Sequence, residues 1–145
     1  MPATTTRKHP TKTPTTPKTA TYTPTPIQAA AYFSAKLAYE TTPHQLKKDW
    51  DDGKVVILDV RDPQSYAAEH IAGAKNVPLT ELQKHFATLP KNKTLVTYCW
   101  TITCALAPKA ALALAQKGFN VQELSGGIAE WKTNSFPTEG QTPKA

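Results

Sequence analysis

Residues Leu95-Val96-Thr97-Tyr98-Cys99-Trp100-Thr101-Ile102-Thr103-Cys104-Ala105-Leu106-Ala107-Pro108 pass directly from a strand pattern to a helix pattern. A β-branched and apolar run stops at Cys99, a short loop follows, and an alanine-rich segment begins. This grammar places a thiol at the carboxyl end of a buried strand, next to a helix N-terminus. Open α/β sheets carry their reactive groups at such ends. The free N–H groups and positive dipole end of the helix favour an anion there, and the same field lowers a thiol pKa. Cys99 is therefore the expected nucleophile.

The pattern repeats on both sides. Val55-Val56-Ile57-Leu58-Asp59-Val60 is a continuous apolar run interrupted by one carboxylate, as expected of a central parallel strand covered on both faces. Thr42-Pro43 predicts a helix start, with Thr42 as N-cap and Pro43 in the first turn, and a helix to about residue 52 that buries Leu46 and Trp50. Short helices are expected over 64–70 and 79–86, and a longer one over 108–117 that offers Ala111, Leu112 and Leu114 to the core and ends at Gly118. Phe119 to Leu124 alternates as a strand, Gly126-Gly127 makes a turn, and a last helix carries Trp131. Strands alternating with helices predict an α/β fold: a parallel central sheet flanked by helices.

Outside that body the composition changes. Residues 1–26 hold 6 of the 13 prolines, within long Thr, Pro and Lys runs. Such a tail buries too little apolar surface to offset its ordering entropy, and is expected to be disordered. A helical lead-in over 27–40 follows, with Ile27, Ala30, Phe33 and Leu37 on one face, expected to dock on the body. The domain proper is expected over 41–137 and a flexible C-terminus over 138–145. The net charge of +6 belongs mostly to the tail: from Glu40 onward 12 Lys and Arg face 11 Asp and Glu. The body has no basic cluster for nucleic acid to grip. No run approaches the roughly 20 apolar residues of a membrane span. The N-terminus has no apolar signal core before Ile27, so a cytoplasmic location with reduced thiols is expected, an organellar transit peptide remaining open. Cys99 and Cys104 lack the spacing of a metal motif and His9, His44, His70 and His85 form no pair, so neither a metal nor another cofactor is expected.

The residues also carry a resemblance. Leu58-Asp59-Val60-Arg61, Tyr66, and His70-Ile71-Ala72-Gly73-Ala74-Lys75-Asn76-Val77-Pro78 resemble the opening of a rhodanese domain. Tyr98-Cys99 after a buried strand, then Gly118-Phe119 and Leu124-Ser125-Gly126-Gly127-Ile128 with Trp131, resemble its close. The likeness covers about residues 41–137, and the helical lead-in resembles an extension of some single-domain members. The resemblance implies a rhodanese-like three-layer fold and sulfur transfer. Cys99 would take the outer sulfur of a small donor anion such as thiosulfate, or of a persulfide, and pass it to a thiol or cyanide, or to a protein acceptor. The loop of Trp100, Thr101, Ile102, Thr103 and Cys104 would hold the substrate through backbone N–H groups, with Asp59 and Arg61 in support. His70 matches a turn position that packs and hydrogen-bonds.

The loop departs from the family pattern. It has no glycine, arginine or serine, and Cys104 stands where an arginine is frequent. Ala105 occupies the position of the arginine in the Cys-x5-Arg loop of related phosphatases, which speaks against phosphoryl chemistry. Lys109 is the nearest cation in sequence. Cys104 has three readings: a thiol that resolves a Cys99 persulfide, a partner that protects Cys99 through a disulfide, or a small residue filling the helix start. Trp100 either walls the pocket or anchors the loop. Two further functional readings stay open: a catalytically weak binding or regulatory module, and a dithiol redox role for Cys99 and Cys104.

Overall fold

A computed structural model describes residue 23 and residues 25–141. Apart from Thr23, Thr25 and Pro26, the expected tail lies outside the described residues, as do 142–145. The elements are α1 (Pro26–Tyr39), β1 (Glu40–Thr41), α2 (Pro43–Asp51), β2 (Val55–Asp59), α3 (Pro63–Ala68), β3 (His70–Ile71), β4 (Lys75–Asn76), a 3-10 turn at Leu79–Glu81, α4 (Leu82–His85), β5 (Thr94–Tyr98), α5 (Leu106–Gln116), β6 (Val121–Leu124), α6 (Gly127–Thr133) and β7 (Thr138–Glu139).

Five strands form one parallel sheet in the order β1-β6-β5-β2-β4. The central pair is β2 with β5, in register from Val55 opposite Thr94 to Asp59 opposite Tyr98. Strand side chains alternate between faces, so each central strand feeds two cores. Leu95 and Cys99 of β5 and its end join Leu58, Leu82, Ala107, Ala110 and Leu114 on the α4–α5 face. Val96 and Tyr98 join Leu46, Ile57, Leu124, Ile128 and Trp131 on the α2–α6 face. Each fully buried Leu or Ile contributes about 1.5–3 kcal/mol. The expected α/β architecture, a parallel sheet flanked by helices, is the one observed. Among the described residues no helix is long and apolar enough to cross a membrane.

Helix α2 begins as its sequence predicts: Thr42 accepts from the Gln45 N–H at 3.2 Å, and Pro43 fills the first turn. Three differences stand out. Helix α5 starts two residues earlier than expected and buries Ala107, Ala110 and Leu114, leaving Leu112 largely exposed. Helix α1 forms, capped by Thr25 and Gln28, but buries none of its residues: Ile27 and Leu37 are each 84% exposed. It is held at its end, where the Gln122 side chain donates to the Ala38 carbonyl at 3.0 Å. Residues 138–139, placed beyond the domain by the sequence reading, pair antiparallel with β3, and Thr138 is buried.

Candidate active site

Two strand ends lie side by side at the carboxyl edge of the sheet. Asp59 closes β2, Tyr98 closes β5, and Cys99 follows directly. The first turn of α6 fixes the start of the loop: Ile128 N–H donates to the Cys99 carbonyl at 3.0 Å and Ala129 N–H to the Trp100 carbonyl at 3.1 Å. Thr97 Oγ1 donates to the Ala107 carbonyl at 3.0 Å and ties β5 to the start of α5. The Cys104 N–H returns to the Thr101 carbonyl at 3.1 Å, so the loop curls back on itself.

Cys99 is 2% exposed. Its thiol donates to the Cys104 carbonyl at 3.5 Å, and the N–H groups of Ala107, at the start of α5, and of Trp100 favour a negative sulfur. The Cys99 and Cys104 thiols influence each other's ionisation. The sequence led us to expect a lowered thiol pKa at Cys99, and the structure reverses this. Burial pushes the Cys99 thiol up to about 11, the Cys104 thiol adds to the rise, and the two N–H groups only oppose it. The lowered thiol is Cys104. Burial works against it, but the Cys99 thiol and the N–H groups of Trp100 and Leu106 outweigh burial. One proton shared by two sulfurs makes them titrate as a pair, with the first negative charge resting on Cys104.

Of the remaining loop residues, Trp100, Thr101, Ile102 and Thr103 are exposed, and the Thr101 and Thr103 hydroxyls lie 3.2 Å apart. Trp100 lies over the Arg61 guanidinium, 4.3 Å from ring centroid to Cζ, a cation–π contact that anchors the loop. Lys109 is exposed on α5.

Asp59 and Arg61 are brought together as a buried ion pair, with Arg61 Nη2 2.7 Å from Asp59 Oδ2. Asp59 also accepts from the Arg61 backbone N–H at 3.0 Å, and Arg61 donates to the Glu69 carbonyl at 2.6 Å. The carboxylate thus holds Arg61 rather than the loop. Sequence reasoning missed Tyr98, which is fully buried. Its hydroxyl donates to Asp59 Oδ2 at 2.6 Å and accepts from the Ile71 N–H at 3.0 Å. Burial and the neighbouring carboxylate push this phenol well above its ordinary range. His70 stacks on Tyr66 at 3.8 Å, and its Nδ1 lies 2.7 Å from the Tyr66 carbonyl, a packing role away from the sulfur pair.

A cleft of about 270 Å³ adjoins the loop, lined by Trp100, Thr101, Arg61, Ser65, Glu69 and Lys132 among others. Two wider clefts, about 560 and 570 Å³, lie along α1, and no residue of the 99–105 loop lines them.

A parallel α/β sheet that presents a thiol at the end of its central strand, before a loop that curls back into a helix, defines a domain built around a cysteine loop. The rhodanese-like domain model matches residues 42–134, and the chain belongs to that family. It is 33% identical over 102 residues to an HTH-type transcriptional regulator of Mycobacterium tuberculosis, a match covering 70% of this chain and 45% of the regulator. It is 36% identical over 81 residues to thiosulfate sulfurtransferase GlpE of Coxiella burnetii, covering 55% of this chain and 74% of GlpE. A crystal structure of a Bacillus halodurans protein superposes with a TM-score of 0.72 at 37% identity, covering 80% of this chain and 87% of that one. The chain thus spans less than half the length of the regulator it resembles.

Proposed function

We propose that the chain is a rhodanese-type sulfurtransferase that carries sulfur as a Cys99 persulfide. The observation that supports this reading is the position of Cys99: the first residue past β5, buried in the core beside Ala107 at the start of α5. In the first half-reaction the Cys99 thiolate attacks the outer sulfur of thiosulfate or of a persulfide donor. The donor's S–S bond breaks, and sulfite or a thiolate leaves with the electron pair. In the second, a thiol, cyanide or a protein acceptor attacks the outer sulfur, and Cys99 departs as thiolate. The covalent intermediate divides one transfer into two easier steps. The N–H groups that favour the thiolate also suit the persulfide anion, without reorganisation during reaction.

The shared proton sets the price of the first step. As pH rises the first proton leaves Cys104, and the attacking form arises when the proton moves from Cys99 to the Cys104 thiolate. Cys104 is thus the immediate proton acceptor for the nucleophile, without help from His70. The test is sulfite release from thiosulfate, with a glutathione persulfide donor in parallel. Wild type turns over, and Cys99→Ser loses at least about a hundredfold. Absence of cysteine-dependent release with both donors supports the other reading, a binding module with little turnover. The high thiol pKa of Cys99 and the cation-free loop favour that second reading.

A further inference from the structure

The loop holds two free cysteines, and sulfur transfer as written uses only one as a sulfur carrier. Cys99 lies in the α4–α5 core and Cys104 packs against the same cluster. The turn closed by the Cys104 N–H on the Thr101 carbonyl returns the chain towards Cys99, whose thiol donates to the Cys104 carbonyl at 3.5 Å. The two thiols also influence each other's ionisation, Cys99 upward and Cys104 downward. Cys104 is also the more open of the two, half-buried against the nearly sealed Cys99. Residues 100–103 between them are exposed and leave room for the small movement that bond formation needs.

We propose that Cys104 resolves the Cys99 persulfide, releasing hydrosulfide and closing a Cys99–Cys104 disulfide. This rests on the reading of Cys99 as a persulfide carrier. The Cys104 thiolate attacks the Cys99 Sγ. A bond forms between the two cysteine sulfurs, and the bond from Cys99 Sγ to the outer sulfur breaks. The outer sulfur leaves with the electron pair and the persulfide proton as HS⁻. It is reduced by two electrons, and each cysteine sulfur is oxidised by one. A dithiol, small or on a protein, returns the pair to the reduced state by thiol–disulfide exchange. The domain then delivers sulfide in place of handing sulfane sulfur directly to an acceptor. The proton that Cys104 takes up during loading passes to the outer sulfur of the Cys99 persulfide, which frees the Cys104 thiolate to attack and supplies the proton that HS⁻ carries away.

The experiment uses the full chain, reduced and then freed of added thiol, with thiosulfate as the first donor and glutathione persulfide as the second. Sulfite and sulfide are measured by bimane trapping, and the protein by intact mass after acid quench. Wild type is expected to release close to one equivalent of sulfide and to end about 2 Da lighter than the reduced chain. Cys104→Ser that has reacted is expected to stop about 32 Da heavier, as a persistent persulfide, with sulfide release at least about tenfold lower. Cys104→Ala repeats the comparison, and the wild-type mass requires no variant. A wild-type chain that stays about 32 Da heavier, with sulfite but no sulfide, overturns the resolving role and leaves the persulfide carrier standing. Equal sulfide from wild type and Cys104→Ser does the same. An unchanged mass with neither product, in wild type and variant alike, overturns the carrier and the resolving role together.

Discussion

The Tyr98 hydroxyl donates to Asp59 and accepts from the Ile71 N–H in a fully buried setting, next to the residue that carries the thiol. Burial and the carboxylate keep this phenol protonated above its ordinary value of 10.0. In the unfolded chain it ionises near that value. Its contribution to stability is therefore complete below pH 10 and is lost as pH rises towards the folded pKa. Urea denaturation is expected to show wild-type stability falling above pH 10. Tyr98→Phe flattens that fall and costs about 1–3 kcal/mol at neutral pH by orphaning the buried Ile71 N–H and taking one donor from Asp59 Oδ2, which keeps Arg61. Equal alkaline slopes for the two proteins would contradict this account. Tyr98 was invisible in the sequence because a tyrosine ending an apolar strand reads as one more core residue. The places of Cys99 and Asp59 at strand ends were legible in the hydrophobic pattern, and that of Arg61 in the resemblance. The distribution of charge between Cys99 and Cys104 was not, because it depends on burial depth, and a dipole argument knows only direction.

At the scale of elements, the turn into α6 sets the loop. Gly127 has φ +63°, and a Cβ there would meet the Cys99 carbonyl oxygen at 2.7 Å and the Trp100 carbonyl carbon at 2.8 Å. Gly53 has a similar φ of +69° but open space around it. Gly53→Ala therefore carries the backbone cost alone, about 1 kcal/mol. Gly127→Ala adds a clash with the loop. It is expected to cost about 1–3 kcal/mol more in chemical denaturation and to cut sulfite release, while Gly53→Ala keeps it. Equal losses from the two substitutions would argue that the close approach has no consequence. The start and phase of α5 escaped the sequence for a related reason. Pro108 sits in its first turn rather than at its first position, and an apolar residue stands at almost every place from Ala105 to Ala115. Such a segment has no periodic stripe to choose a face, so packing against Leu95 and Cys99 chooses it.

Across the whole molecule, the α/β plan was readable because strand and helix patterns alternate so regularly. The placement of α1 was not, since an apolar stripe says only that a helix could dock. Both cores are complete without it. Removal of residues 1–39 is expected to shift stability by less than about 1 kcal/mol, through loss of the Gln122–Ala38 bond. A larger loss in thermal denaturation would place α1 in the folded core. The order of strands in the sheet has a consequence for the birth of the chain. Glu40 and Thr41 leave the ribosome ahead of every other strand, yet their partners Glu123 and Leu124 belong to the last strand of the main sheet to be made. β2 must likewise wait for β5. Long-range parallel pairing of this kind is slow, and it leaves apolar segments uncovered meanwhile. The nascent protein therefore assembles from its middle outward, and the first strand synthesised is among the last to find its neighbour.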